Sequence, residues 1–300
     1  MRRVLVTGAS GFIGAHCLRR LTLEDCEIHA VNRSGNGEAA ANVVWHVADL
    51  RDPAQASSLV AKIRPTHLLH GAWVATPGLY AHSPENVTWL QSTAALAAAF
   101  GGQGGARFVG IGSSAEYDPG DRPCVEDETP IRPATIYGKC KADAWLAAQA
   151  AARQHGFSAA WGRLFLPYGP GDPPQRLIPS VLAALRDGKP VPTSHGRQQR
   201  DFIYAPDAAD LLIRLLLSQE HGVFNIGTGH ATTVRSVVEY LASHCGRPDL
   251  PQFGAMALAP GEAAVLVADM SKVRDRLSWS PATDVQSGLA DVMRSVQANR

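Results

Sequence analysis

The chain has 300 residues, 45% of them hydrophobic and 18% charged, with a formal net charge of +1 at neutral pH. That balance fits a soluble globular protein burying a sizeable core as one large domain or two unequal lobes. It leaves no basic stripe to neutralise phosphates and no apolar run long enough to cross a bilayer, which excludes an electrostatic nucleic-acid binder and a helical membrane protein.

In chain order, apolar runs predict strands over 2–7, 26–32, 43–47, 66–72, 106–113 and 158–165. Helical patterns fall between them over 12–23, 53–64, 84–100 and 136–154. This alternation predicts an α/β fold, a Rossmann doubly wound parallel sheet with helices on both faces. After Arg163 the texture changes, and the turn-rich stretch Pro167-Tyr168-Gly169-Pro170-Gly171-Asp172-Pro173-Pro174 reads as a crossing between lobes. Helices near 176–187, 206–218 and 233–245 follow, with a strand ending in Asn225-Ile226-Gly227-Thr228-Gly229 and a last helix after Trp279-Ser280-Pro281. The expected organisation is a dinucleotide-binding domain from 1–166 plus about 200–230. A smaller C-terminal α/β substrate lobe would comprise 167–199 plus 231–300.

The first strand runs directly into Gly8, Ser10, Gly11, Phe12, Ile13 and Gly14, where a helix begins. The first glycine permits a tight turn, the second lets backbone amides approach a pyrophosphate, and the third lets helix pack on strand. The positive end of the helix then faces the anion. A carboxylate at the end of the second strand would accept a bond from a ribose 2′-hydroxyl. This chain instead reads Asn32-Arg33-Ser34, a guanidinium and a hydroxyl suited to a 2′-phosphate, so NADP(H) is favoured over NAD(H), which stays the alternative. Asp49 and Leu50, after the third strand, are placed to touch the adenine.

Tyr137 and Lys141 are four residues apart and meet on one helical face, behind a strand that ends at Ser113. A free tyrosine titrates near about pH 10; a nearby ammonium and an oxidised nicotinamide would pull that value down. Lys141 would also hold the nicotinamide ribose, Ser113 would polarise the substrate oxygen, and Tyr137 would exchange its proton as hydride moves. Five cysteines (Cys17, Cys26, Cys124, Cys140, Cys245) are odd in number and lack paired spacing. No disulfide framework is therefore expected, and a reducing cytoplasm is the expected compartment. His67, His70, His82 and His195 lack ligand spacing, so no metal is expected. The opening apolar run breaks at Gly8, too short for a secretory h-region.

These motifs resemble the extended short-chain dehydrogenase/reductases, the NAD-dependent epimerase/dehydratase family of nucleotide-sugar enzymes, over nearly the whole chain. The matching segments are TGASGFIG, Ser113-Ser114-Ala115-Glu116-Tyr117, the stretch from Glu126 to Tyr137, Arg163-Leu164-Phe165 with Tyr168-Gly169-Pro170, Arg200-Asp201-Phe202, and NIGTG at 225–229. The resemblance implies that Ser113, Tyr137 and Lys141 are catalytic, that Asn86 lies near the nicotinamide, and that Arg200 contacts a substrate diphosphate. Arg200 paired with Asp201 or Asp207 is the plainer alternative. The helices over 84–100 and 136–154 resemble the family's dimer-forming pair, implying a homodimer. Departures bear on the reaction. The family's dehydratases carry acids after the catalytic serine, where this chain has Ser114 and Ala115 and places Glu116 one position late. Leu166 stands where many epimerases have asparagine, and Ala259 replaces a second diphosphate arginine. The preferred reading is NADPH-dependent reduction of a nucleotide-linked 4-keto-6-deoxyhexose. The alternatives are a nucleotide-sugar C4-epimerase with tightly bound NAD, a reductase of a non-nucleotide carbonyl, and a non-catalytic dinucleotide sensor.

Overall fold

The computed structural model describes residues 1–35, 37, 42–258 and 261–298; Ala259 lies outside the described residues. The N-terminal half alternates as expected: β1 (Arg2–Thr7), α1 (Phe12–Leu21), β2 (Cys26–Asn32), β3 (Val43–Val47), α2 (Pro53–Ile63), β4 (His67–His70), α3 (Glu85–Gly102), β5 (Arg107–Ser113), α4 (Ile136–His155) and β6 (Ser158–Leu164). Then come β7 (Leu166–Tyr168), α5 (Leu177–Arg186), β8 (Val191–Thr193), β9 (Gln199–Arg200), β10 (Phe202–Tyr204), α6 (Ala205–Leu217) and β11 (Gly222–Ile226). The chain closes with β12 (Thr232–Thr233), α7 (Val234–His244), β13 (Pro251–Phe253), β14 (Val265–Leu266), α8 (Ser271–Leu277) and α9 (Val285–Ala298).

Seven strands form one parallel sheet in the order β11-β6-β5-β4-β1-β2-β3. The order reverses between β1 and β4, and there the carboxyl ends of the strands open a crevice for a ligand. β4 is shorter than its apolar run suggested. At Gly71 the chain leaves the sheet and its amide bonds the carbonyl of Thr7.

Side chains alternate across the strands, so each face of the sheet packs its own helical layer. On one face Leu18 and Leu21 of α1 meet Leu211, Leu212, Leu215 and Leu216 of α6. On the other, Val60, Leu96, Phe100 and Trp145 join α2, α3 and α4. A third core, built on Tyr168, Ile178, Val238, Leu241 and Leu289, belongs to α5, α7 and α9. Residues from Ala268 to Trp279 were read with the substrate lobe, yet their buried side chains join the α1–α6 layer. The reason is local: Trp279 donates its indole N–H to Asp210 of α6 at 2.9 Å, which holds that segment against the Rossmann side.

Local capping sets where the functional helix begins. Thr135 caps α4 by accepting from the amide of Gly138 at 3.1 Å, and Gly156 ends the helix in the left-handed conformation at φ 76°. Tyr137 is thereby fixed in the first turn and Lys141 one turn later.

The crossing between the halves hangs on one carboxylate. Asp201, fully buried, accepts from the amides of Thr228, Gly229 and Ala268 at 2.8, 2.9 and 3.1 Å and from the Thr228 hydroxyl at 2.7 Å. Asp201→Ala would leave these donors unpaired, and we expect a loss of about 3 kcal/mol or more of unfolding free energy in urea titrations. Asp201→Asn, which keeps one accepting oxygen, is expected to lose less.

Candidate active site

The crevice begins at the glycine turn. A Cβ on Gly8, whose φ is +69°, would lie 2.6 Å from the carbonyl carbon of Gly71, and one on Gly14 would lie 2.0 Å from the oxygen of Gly8. Side chains are therefore excluded where the turn closes on β4 and on its own helix. Ser10 and Gly11 face solvent, and Gly11 caps α1 without a side chain to bond the first-turn amides. A helix N-terminus left uncapped by side chains, behind a turn that admits only glycine, fits a dinucleotide pyrophosphate.

Thr7 and His70 stiffen the floor of this turn. The Thr7 hydroxyl oxygen accepts from the amides of Gly71 and Ala72, both at 3.2 Å, and bonds Nδ1 of His70 at 2.8 Å. Nε2 of His70 bonds the Thr93 hydroxyl at 2.9 Å, while that hydroxyl donates to the carbonyl of Trp89. This pattern assigns the proton to Nε2 of a neutral imidazole. Burial pushes the His70 pKa down to about 3, with the Lys141 charge adding to the effect.

Ser113, Tyr137 and Lys141 come together at the carboxyl end of β5. Burial raises the Tyr137 pKa well above the ordinary tyrosine range; the nearby Ser113 hydroxyl and the charge of Arg176 oppose this. Lys141, 4% exposed, donates to the carbonyl of Ile111 at 2.7 Å and lies 4.0 Å over the Trp73 ring. Burial pushes its pKa down to about 7, and the Glu116 charge opposes the fall.

Asn86 is fully buried with its amide directed inward: it accepts from the Trp73 indole at 2.8 Å and donates to the carbonyls of Tyr80 and Ser83 at 2.7 and 2.8 Å. Tyr80 packs edge-on to Tyr137 with centroids 4.8 Å apart. Asn86 therefore holds the two aromatic walls against Lys141 and Tyr137.

Sequence reasoning missed the support beneath Ser113. Glu116, fully buried, accepts from the Ser113 amide at 2.8 Å, the Trp161 indole at 2.9 Å and Nε of Arg163 at 2.8 Å. Arg163 stacks 4.5 Å from the Tyr117 ring, and the Tyr117 hydroxyl donates to Asn225 at 2.7 Å. Glu116 thus points into the core, away from the crevice. That Glu116 points elsewhere than the dehydratase acids was legible from its place one position late in SSAEY, but its partners Ser113, Trp161 and Arg163 were not.

The remaining residues divide. Arg33 and Ser34 are exposed beyond β2, and the side-chain oxygen of Asn32 accepts from the amides of Ser34 and Gly35 at 3.2 and 2.6 Å, shaping that loop. Asp49 is gripped by Arg51, with its nearest contact at 2.6 Å, and its pKa falls to about 2. The Arg51 hydrogen bond is the main cause, and the Arg33 charge adds to it. Leu50 turns inward, and its side chain belongs to the α2–α3 core. Arg200 pairs with neither Asp201 nor Asp207. Its guanidinium donates to Glu262 at 2.7 Å and to the carbonyls of Gln199 and Ala263 at 2.8 and 2.9 Å. Its charge is therefore partly neutralised within the protein. Among the described residues no group of histidine, cysteine or acidic side chains could hold a metal ion, and no helix is long and apolar enough to cross a membrane.

A parallel sheet with a glycine cradle at its switch point and a tyrosine–lysine pair beside it defines a dinucleotide-dependent enzyme of the extended short-chain dehydrogenase/reductase type. The model of the NAD dependent epimerase/dehydratase family matches residues 4–227, and the chain belongs to that family. It is 28% identical to a UDP-glucose 4-epimerase of Streptomyces lividans, across 93% of this chain and 92% of that one. It is 27% identical to a dTDP-glucose 4,6-dehydratase of an Actinoplanes species, across 99% and 98%. The structure of MoeE5 in complex with UDP-glucuronic acid and NAD superposes with a TM-score of 0.87 at 29% identity, covering 99% of this chain and 100% of that one.

Because Lys141 is protonated in the unfolded chain up to about pH 10 but folds with a pKa near 7, the unfolded state binds more protons between those values. Its burial therefore costs stability, in full below pH 7 and progressively less as pH rises above it. Lys141→Met is expected to raise the stability of the protein without cofactor at pH 7 by roughly 1–3 kcal/mol and to abolish turnover. Urea titrations at pH 7 and pH 9.5, where the gain should shrink, check both signs.

Proposed function

We propose that the protein is an NADPH-dependent reductase of a nucleotide-linked 4-keto-6-deoxyhexose. The observation that carries the reading is the Ser113–Tyr137–Lys141 cluster at the mouth of a cradle whose β2 end bears Arg33 and no carboxylate. The family is NAD-dependent; the preference for the phosphorylated cofactor rests on Arg33, exposed and close enough to Asp49 for its charge to be felt there. The glycine turn and the α1 N-terminus would hold the pyrophosphate, and Arg33 with Ser34 the 2′-phosphate. The bound nicotinamide supplies the hydride. Tyr137, kept protonated by burial, donates its proton to the carbonyl oxygen while Ser113 orients it. Lys141 holds positive charge beside the developing phenolate and is placed for the ribose hydroxyls. Glu116 does not face the crevice, and Ser114 and Ala115 cannot exchange protons as dehydratase acids would, which supports reduction over water elimination.

The lobe built on α5, α7 and α9 would hold the sugar nucleotide. The α3–α4 layer, where Val87 and Leu146 are 43% and 59% exposed, would form a homodimer interface. A C4-epimerase is the second reading, favoured by the Streptomyces relative.

Stoichiometric NADPH oxidation with one member of a panel of nucleotide-linked 4-keto-6-deoxysugars is the expected result. Interconversion of C4 epimers without net oxidation would replace the reading with the epimerase. Tyr137→Phe should lower kcat by about 10²–10⁴-fold with either activity. Arg33→Ala should raise KM for NADPH about ten- to a hundred-fold and leave that for NADH nearly unchanged, from the loss of a charge-assisted contact.

A further inference from the structure

At the amino ends of β6 and β11, the end of the sheet opposite the crevice, lies a cavity of about 300 Å³ that the reaction above does not use. Trp145 and Phe157 supply its aromatic walls, and the small side chain of Ala152 leaves the space open. All three side chains belong to the core beneath α4, so the walls are held in place by packing.

The polar groups of the cavity carry positive charge that the protein does not neutralise. At its mouth stand Gln149, Arg153 and His221, whose side chains make no hydrogen bond or ion pair among the described residues. Behind Ser158, which also lines the cavity, Arg107 is 4% exposed. It donates to the Ser158 hydroxyl at 2.8 Å and to the carbonyl of Leu215 at 2.7 Å, while its Nε has no acceptor. Burial pushes the Arg107 pKa down to about 10, and the charge of Glu220 opposes the fall without forming an ion pair.

The cavity wall is also joined to the support of the catalytic serine. Trp145 stacks on Trp161 with centroids 5.9 Å apart, and the Trp161 indole donates to Glu116 at 2.9 Å. The same carboxylate oxygen receives the Ser113 amide at 2.8 Å.

We propose that this cavity is an effector site for a small aromatic carboxylate, held by Trp145, Phe157 and Arg153 and felt at Ser113 through Trp161 and Glu116. The volume lies at the low end of small-ligand sites, which suits a single ring or a fused pair. A flat ring buries apolar area against the two aromatic walls. Its carboxylate meets the unpaired guanidinium of Arg153 with two parallel hydrogen bonds and offsets the field of the buried Arg107. A neutral ring would bury the same area and leave both cations uncompensated.

The test is calorimetric titration of the NADPH-loaded protein with 1-naphthoate and indole-3-acetate, each against its neutral amide. At least one carboxylate is expected to bind about ten- to a hundred-fold more tightly than its amide. Arg153→Gln, at an exposed position, should erase that difference by weakening the carboxylate alone. Ala152→Leu, which fills the cavity, should abolish binding of both members while leaving NADPH affinity unchanged. In the bound state, hydrogen exchange should slow over residues 107–117 as well as over 145–159. The proposal is overturned if neither carboxylate binds, if acid and amide bind equally, or if Arg153→Gln keeps the discrimination. Binding retained in Ala152→Leu places the ligand elsewhere and overturns it too. Binding that leaves exchange over 107–117 unchanged overturns the effector role.

Discussion

The buried carboxylate of Glu116 ties the catalytic serine to the sheet. One oxygen receives the Ser113 amide and the Trp161 indole, and the other receives Arg163, so a single side chain fastens the end of β5 to β6. A charge with 0% exposure is tolerable only because each oxygen is met by donors and by the opposite charge of Arg163. Arg163 continues the network through Tyr117 to Asn225 on β11, whose amide bonds Glu126 at 2.8 Å. Three neighbouring strands are thereby held in one register beneath the site, and Ser113 inherits their rigidity.

A second layer works from the other side of the crevice. Asn86 fixes Trp73 and the Tyr80 backbone, and these place aromatic surface against Lys141 and Tyr137. The resulting desolvation moves the two pKa values in opposite directions: the phenol holds its proton more tightly and the ammonium less. A protonated phenol is the state required to donate to a carbonyl oxygen, and a lysine near neutrality responds strongly to any charge that binds beside it. The same burial that costs folding stability thus prepares the site electrostatically.

The two halves of the chain share the α1–α6 core, and polar anchors fix how the C-terminal stretch crosses onto it. Asp201 gathers the amides that follow β11 and precede α8, while Arg200 next to it closes on Glu262. Adjacent residues with opposite charge therefore serve opposite sides of one junction. Two buried oxygens at this boundary, Asp172 Oδ1 and Gln198 Oε1, have no hydrogen-bond donor.

What the sequence determined by itself was whatever depends on local spacing. Alternating apolar runs specified the parallel sheet, the glycine spacing specified the cradle, and the i to i+4 separation placed Tyr137 and Lys141 on one helical face. The order of motifs specified the family. Direction and partnership were decided only by the tertiary structure, because they depend on which chains of contact close in space. The Leu50 side chain packed into the core, Arg200 found Glu262 instead of Asp201 or Asp207, and Asn86 turned inward to hold Trp73. Residues 268–279 joined the α1–α6 layer, held there by an indole–carboxylate bond from Trp279 to Asp210. A buried charge must be met by whichever partner lies within reach, and reach across 47 residues, as between Glu116 and Arg163, is a property of the folded chain alone.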